Sequence, residues 1–378
     1  MNPKISEIPV ESVTAISVRR LALESFRNYS RLELELGPGL NVLYGRNAQG
    51  KTNALEAIYL LSTTRLLRGS RDVEAVRQGA SRASVEASLA PFDSTLSLTL
   101  EAGKRKLAQL NGMKLPRAAD LIGRLPSICV SALDMEIVRG SPEDRRLFMD
   151  LELSQLSPSY LNHLTHYKRS LEQRNALLRR AQDERVREDE FAVWEEPMSE
   201  HGAAIRSMRM KLISELSPLA AEHQAFLASE ESLSVAYEAK DEGVDASAIG
   251  QLLAQHRDRE IARGSSNIGP HRDDLAIVVE GRDVRYFGSQ GQQRTAVLAL
   301  KLAAHHRQRK ISGSAPLLLL DDILSDLDEG RRRRLVEWIL TEARQAILTC
   351  TEPEVAGPEL LSRALLFEVI SGTVTPRD

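Results

Sequence analysis

Hydrophobic and polar positions recur with three different rhythms along the 378-residue chain, and each rhythm implies a different kind of element. Residues 40–44 are a short apolar run without alternation, the mark of a buried parallel strand, and residues 53–61 follow with helical spacing. Between residues 83 and 110 the period shortens to two, over 83–89, 96–101 and 106–110, and Asn111-Gly112 offers the turn of a tight hairpin. A small antiparallel sheet is predicted there. Past residue 126 the spacing turns helical. Ser157-Pro158 is an N-cap followed by a first-turn proline, and Leu164, Tyr167, Leu171 and Leu178 lay one apolar stripe along a helix over 160–180. A second helix is predicted over 203–226, interrupted at Pro218, with the charged residues 183–190 as an exposed connector. Strand-like runs return at 275–279, 316–320 and 346–348, with a helix over 295–306. The expected organisation is a flexible extension (1–14), an α/β head beginning at 15–125, an inserted, mainly helical lobe (126–263), and the rest of the head (264–378).

The chemistry lies where strands give way to helices. Gly45-Arg46-Asn47-Ala48-Gln49-Gly50-Lys51-Thr52 has the spacing G-x-x-x-x-G-K-[ST], placed between strand and helix as a phosphate-binding loop requires. Gly45 and Gly50 allow backbone N–H groups to converge on a phosphate chain, aided by the dipole of the following helix. Lys51 would pair with the β- and γ-phosphates and Thr52 would ligate Mg²⁺. Far along the chain, the apolar run 316–320 ends in Asp321-Asp322, a strand delivering two carboxylates at its C-terminal edge.

Two further elements complete a pattern. Ser289-Gln290-Gly291-Gln292-Gln293-Arg294 is a polar turn opening a helix, and Ser325-Asp326-Leu327-Asp328 follows the carboxylates. In this order the four elements resemble the head of ABC-type P-loop ATPases, a mixed sheet with helices beside a small antiparallel β subdomain. That resemblance implies that ATP glues two copies of the chain together. Ser289, Gly291 and Gln292 would bind the γ-phosphate held on the opposite protomer, and Asp321 would hold Mg²⁺. Asp322 would polarise the attacking water, and Arg27 and Asn28 would lie near the α-phosphate and adenine. Arg331 to Arg334, four in a row at a helix start, oppose the helix dipole and read as a solvated face.

Composition narrows the setting. The chain is 42% hydrophobic and 27% charged, and no apolar run approaches the ~20 residues of a membrane helix. The N-terminus has no basic-then-apolar targeting pattern, and two cysteines, Cys129 and Cys350, read as buried free thiols, so a cytoplasmic location is expected. At a net charge of −3, nucleic acid would have to be met by a local patch. Ten of the 50 basic residues are lysine, and the forty arginines suit bidentate phosphate recognition. Arg65, Arg68 and Arg71, just past the P-loop helix, are the candidate DNA contacts, with Lys168, Arg169 and Arg174 as the alternative surface.

Several peptides carry a narrower resemblance. Phe26-Arg27-Asn28-Tyr29, Gly123-Arg124-Leu125-Pro126-Ser127, Arg145-Arg146-Leu147-Phe148-Met149-Asp150, Gln173-Arg174-Asn175-Ala176-Leu177-Leu178 and Gly269-Pro270-His271-Arg272-Asp273-Asp274-Leu275 together are similar to the RecF family of bacterial recombination mediators. The family implies an ATP-gated homodimer, slow DNA-dependent ATP hydrolysis, and binding to duplex DNA and single-strand/double-strand junctions. It further implies work with RecR, a functional link to RecO, and RecA loading, with no membrane partner. Departures stand at Thr64-Arg65-Leu66-Leu67-Arg68, where relatives commonly have Gly-Arg-Ser-Phe-Arg, and at Ser131-Ala132-Leu133-Asp134, in place of Ser-Pro-Glu-Asp and without the ABC glutamine. Thr349-Cys350-Thr351 lacks the switch histidine of transporter ATPases, which argues against a transporter subunit and for slow hydrolysis. Chromosome-structuring SMC ATPases share the head but need a sustained heptad pattern, absent here. An ATP-dependent nuclease would need an acidic domain after the head, and only about fifty residues follow Asp328.

Overall fold

The computed structural model describes residues 15–69 and 71–377; the expected extension at 1–14 lies outside the described residues. A six-stranded sheet forms the centre. Strand Leu40–Tyr44 is flanked by Ala346–Cys350 and Ala364–Ile370, and the order continues through Leu317–Asp321 to Ser127–Val130, all parallel, with Thr373–Arg377 antiparallel at the other edge.

Both faces of this sheet are covered, as parallel strands require. Leu317 and Leu319 point into a core shared with the P-loop helix Lys51–Thr63 and the antiparallel sheet, while Leu318 and Leu320 point into a core shared with the helical lobe. Neighbouring residues thus serve opposite cores, and a one-residue slip would exchange every partner.

The antiparallel sheet pairs Ser17–Phe26 with Tyr29–Glu35 and Arg82–Ala90, then extends through Ser94–Glu101, Leu107–Leu110 and Met113–Lys114. The last hairpin turns at Asn111 and Gly112, both with positive φ (52° and 76°), as that dipeptide implies. In the lobe, Ser157 accepts from the N–H of Tyr160 and caps the helix Pro158–Arg180, whose Leu164, Tyr167 and Leu178 are buried.

Three expectations are corrected. The predicted 203–226 helix is the end of a 40-residue helix, Glu188–Leu227, that runs through both Pro197 and Pro218. A helix-interior proline costs about 3 kcal/mol. Burial of Ile205, Leu212, Ile213, Leu216 and Leu227 between neighbouring elements outweighs it. The expected 126–263 and 264–378 limits also shift: strand Ser127–Val130 belongs to the head sheet, and Asp274–Val279 pairs with Leu233–Glu238 in a three-stranded sheet of the lobe. Finally, the four consecutive arginines are not a solvated face. Arg331 pairs with Glu231 (3.2 Å), Arg332 donates to the carbonyls of Leu324 and Leu327, and Arg334 donates to that of Leu227, leaving Arg333 exposed beside Glu329.

Buried ion pairs lock the lobe. Arg174, with no exposed surface, donates to Glu195 (2.9 Å), Glu260 (2.6 Å) and Ser266 (2.7 Å). It therefore cannot serve as the alternative DNA contact. Arg174→Met roughly keeps the volume and leaves buried Glu260 without its cation, while Arg257 still pairs with Glu195 (2.6 Å). Urea denaturation should show a loss of about 3–5 kcal/mol; a loss below about 1 kcal/mol would mean that the network contributes no more than a surface pair.

Candidate functional site

The loop at residues 45–52 leaves the central strand and enters the Lys51–Thr63 helix through backbone that only glycine adopts without strain. Gly45 has φ 143°, and a Cβ there would lie 2.5 Å from the Val369 carbonyl oxygen; Gly50 has φ 122°, and its Cβ would meet the side chains of Asn28 (2.7 Å) and Tyr29 (2.9 Å). Neighbouring turns brace the loop from outside. Asn28 Nδ2 and the N–H of Gly372 both donate to the Gln49 carbonyl (2.9 Å each), Tyr29 OH donates to the Gly50 carbonyl (3.0 Å), and the Ser371 N–H donates to Gln49 Oε1 (2.7 Å). Lys51 Nζ reaches back to the carbonyls of Gly45 (2.6 Å) and Arg46 (2.9 Å). Burial pushes its amine below the usual lysine range, opposed by the charges of Asp322 and Asp321.

The strand Leu317–Asp321 brings its carboxylates to the same edge. Thr52 Oγ1 donates to Asp321 Oδ1 (2.8 Å), and Thr349 Oγ1 donates to the same oxygen (2.7 Å). Asp322 has φ 54°, a left-handed conformation costing a non-glycine residue about 1–2 kcal/mol. Its N–H is held by the Thr349 carbonyl (3.2 Å) and Oγ1 (3.0 Å), and Ser325 Oγ donates to its carboxylate (2.9 Å). Strain over-determined in this way is typical of functional positions. An ammonium, a hydroxyl, two carboxylates and a ring of loop N–H groups can together hold a polyphosphate and a hard cation.

The signature turn is separate. Ser289 caps the helix Gln290–Ser312, accepting from the Gln292 N–H (3.2 Å) while Gln292 Oε1 accepts from the Ser289 N–H (2.9 Å). Ser289 is exposed, and no hydrogen bond or ion pair joins residues 289–294 to the P-loop among the described residues. Gly291 is close to Arg331, whose Nη1 would lie 2.8 Å from an added Cβ.

Comparison with known proteins sets this geometry in a lineage. Residues 17–358 match the RecF/RecN/SMC N terminal domain family. The DNA replication and repair protein RecF of Symbiobacterium thermophilum is 41% identical over 370 residues, spanning 95% of this chain and 98% of that protein. The chain belongs to the RecF family. The RecF of Lachnoclostridium phytofermentans is 38% identical over 362 residues, 94% of this chain and 99% of its own. The solved structure of the recombination mediator RecF-ATP in the RecFOR pathway superposes with a TM-score of 0.88 at 29% identity, covering 96% of this chain and 98% of that one. The Smc head of Pyrococcus furiosus shares the fold alone, with a TM-score of 0.57 at 15% identity.

The structure redistributes several residues expected at the site. The Arg27 side chain makes four hydrogen bonds to protein, two to Glu56 (2.8 Å each) and one each to the carbonyls of Glu74 (2.7 Å) and Arg68 (2.6 Å). These bonds brace the segment after the P-loop helix. Asn28 likewise buttresses Gln49 and accepts from Asn53 (2.7 Å). The arginines at 65, 68 and 71 do not form one patch. Arg68 donates to Asn53 (2.5 Å) and Arg71 to Glu74 (3.1 Å), whereas Arg65 lines a cavity against the helical lobe. His271 is structural: its Nδ1 meets Tyr167 OH (2.6 Å), its Nε2 meets the Ser266 carbonyl (3.0 Å), and burial lowers its pKa to about 4. The residues that sequence reasoning missed are Thr349, Glu56 and the Ser371-Gly372 turn. Only Thr349 left a signal, as the last polar residue of a strand ending at the same edge.

Two outcomes follow. Gly45→Ala should abolish detectable nucleotide binding by calorimetry while the fold survives by circular dichroism; retained affinity would show that the loop tolerates a Cβ against Val369. His271 binds its proton less readily when folded than its unfolded value near 6.5. Its contribution to stability is therefore complete above about pH 6.5 and is lost as pH falls toward about 4. His271→Asn should flatten the urea-midpoint profile in that window, and an unchanged slope would assign the acid sensitivity elsewhere.

Proposed function

We propose that the chain is an ATP-gated, DNA-binding homodimer of recombinational repair, a bacterial cytoplasmic protein that hydrolyses ATP slowly and uses it as a switch. The observation that carries this reading is the Thr52–Asp321 contact of 2.8 Å at an edge that also holds Lys51 and Asp322, on a head whose signature turn is exposed and unattached to its own P-loop. A turn so placed suits a phosphate presented by a second copy. Family membership and the likeness to an ATP-bound RecF support ATP as the nucleotide.

Roles follow from the chemistry. The N–H groups of residues 45–52 cradle the β- and γ-phosphates and Lys51 supplies a point charge. Thr52 and Asp321 fit Mg²⁺, because a hydroxyl and a carboxylate are already within hydrogen-bond distance and this hard cation prefers such oxygens. Bound there, Mg²⁺ would neutralise charge on the phosphates. Asp322, fixed by Thr349 and Ser325, orients or deprotonates the attacking water. Ser289, Gly291 and Gln292 receive the partner's γ-phosphate with the N-terminal dipole of their helix. Thr349 at the end of the neighbouring strand offers a hydroxyl where a general base would speed turnover, which supports slow hydrolysis. RecR as partner, the link to RecO and RecA, and preference for junctions rest on the family alone.

DNA binding in this reading requires the nucleotide-assembled dimer, since a chain of net charge −3 must gather its basic groups from two copies. Ser289→Arg should bind ATP as a monomer but fail to dimerise, read by sedimentation with ADP, ATP and a non-hydrolysable analogue. Asp322→Asn should bind and dimerise yet turn over roughly 10²–10⁴-fold more slowly. Wild-type turnover in Asp322→Asn would move the water-positioning role to another group, and identical sedimentation in every nucleotide would sink the dimer switch.

A further inference from the structure

Two of the peptides that mark the family, Arg145 to Asp150 and Gly269 to Leu275, have no place in the ATP chemistry, and the fold brings them to one cavity. It measures about 400 Å³ and lies between the head, which contributes Arg65, and the lobe, which contributes Arg146, Lys168 and Arg209 with Tyr167 and His271. Arg65 stands one residue beyond Thr64, whose left-handed conformation (φ 56°) ends the P-loop helix. The cavity is thus attached directly to the nucleotide-bearing element.

Its charges do not cancel. Arg145 faces away and is satisfied by a bidentate pair with Asp274 (2.6 and 3.0 Å). Arg209 is satisfied by Asp150 (2.7 Å), Tyr160 and the Pro270 carbonyl. Arg146, by contrast, donates to a neutral acceptor, the Asp273 carbonyl (2.8 Å), and no carboxylate lies within ion-pair distance of it or of Arg65 among the described residues. Burial and the neighbouring Arg209 charge both hold the Arg146 guanidinium below its usual range, and the more distant charges of Asp274, Glu143 and Asp150 offset this only in part.

The carboxylates that line the cavity are committed elsewhere or sit at the rim. Asp144 takes the N–H (2.7 Å) and hydroxyl (2.8 Å) of Ser141 as a helix cap. Asp150 takes Arg209 and Tyr160 and meets Lys168 only at 3.8 Å, and Glu143 is exposed. His271, neutral because of its lowered pKa, neither adds nor removes charge.

We propose that this cavity binds a phosphate group, clasped between Arg65 of the head and Arg146 and Lys168 of the lobe. Guanidinium forks match phosphate oxygens in planar, bidentate geometry, and a phosphate would supply the negative charge that two of them and an ammonium lining one cavity lack. The phosphate belongs either to a nucleic-acid backbone or to a small free phosphate. The site does not depend on the dimer mechanism.

Arginine modification by phenylglyoxal, mapped by peptide mass spectrometry on the full-length protein, reads the site directly. MgADP at saturation keeps the P-loop out of the measurement, and Arg185, exposed in the connector, is the internal control. At a phosphate concentration about ten times Kd, Arg146 and Arg65 should be modified roughly ten-fold more slowly than in chloride of equal ionic strength, with Arg185 unchanged. A parallel arm replaces phosphate with a short duplex carrying a single-stranded overhang. Protection by inorganic phosphate alone identifies a free-phosphate site, and protection by the duplex alone identifies a backbone site; either supports the proposal and leaves ATP-driven dimerisation to be judged separately. Among the described residues the Arg65 side chain has no hydrogen-bond or ion-pair partner to lose, so Arg65→Gln should fold and lose most of the protection at Arg146. Equal modification of Arg146 and Arg185 in both arms would overturn the site, and full protection of Arg146 in Arg65→Gln would overturn the two-walled clasp.

Discussion

The hydrogen bond from Thr52 to Asp321 is the contact on which the rest of the site depends. It joins residues 269 positions apart, and it forms because both sides of the central sheet are covered and its strands are in register. The strand between them, Ala346–Cys350, supplies Thr349, whose hydroxyl reaches Asp321 and whose hydroxyl and carbonyl both receive the Asp322 N–H. Three parallel strands thus end in one polar cluster. Parallel strands project their C-terminal groups in the same direction, so a carboxylate, a hydroxyl and a glycine loop can meet without any being close in sequence.

The arginine excess finds a physical account in the lobe. Arg174, Arg206 and Arg209 are each at most 3% exposed, and each spans two or three elements. Arg206 holds Asp241 (2.5 and 2.7 Å) and Asp273 (2.8 Å twice), and Tyr237 also donates to Asp273. A planar fork of five donors that stays charged when desolvated can meet two carboxylates bidentately, a geometry that the point charge of lysine does not match. Much of the Gly269–Leu275 peptide is explained in this way: Pro270, Asp273 and Asp274 are acceptors for arginines from two helices, Pro142–Leu156 and Glu188–Leu227. The peptide is a structural knot first, and its contribution to a surface is secondary.

How much of this was legible in the sequence depended on whether the signal was local. The P-loop could be read because its spacing, glycines and flanking elements are contiguous, and the polar turn opening a helix at Ser289 for the same reason. The antiparallel sheet was legible from period-two alternation. The 40-residue helix was not, because local propensity places a break at Pro218 while tertiary packing overrides it. The role of Arg27 was also hidden: its partner Glu56, fully buried, sits on the P-loop helix and carries no mark of pairing in its own neighbourhood. Arg65, Arg68 and Arg71 looked like one patch because they are close in sequence, yet after the left-handed residue Thr64 Arg65 lines the cavity against the lobe, Arg68 turns back to Asn53 on the P-loop helix, and Arg71 pairs with Glu74.

The same folding logic accounts for how the site could be felt at a distance. Strand Ser127–Val130 ends at Ser131, whose N–H and hydroxyl both donate to Asp134 (2.7 and 3.1 Å). Asp134 in turn pairs with Lys301 (2.7 Å), a buried lysine on the helix that begins at the signature turn, and Arg139 donates to Gln293 in that helix's first turn (2.6 Å). Lys301 keeps its charge because Asp134 and Glu152 raise its pKa against the cost of burial. Separating it from Asp134 would leave an ammonium in apolar surroundings, a state costing several kcal/mol. The segment at the sheet's edge and the signature helix are therefore tied together at two points. This chain makes these ties without the glutamine that ABC heads carry in that segment.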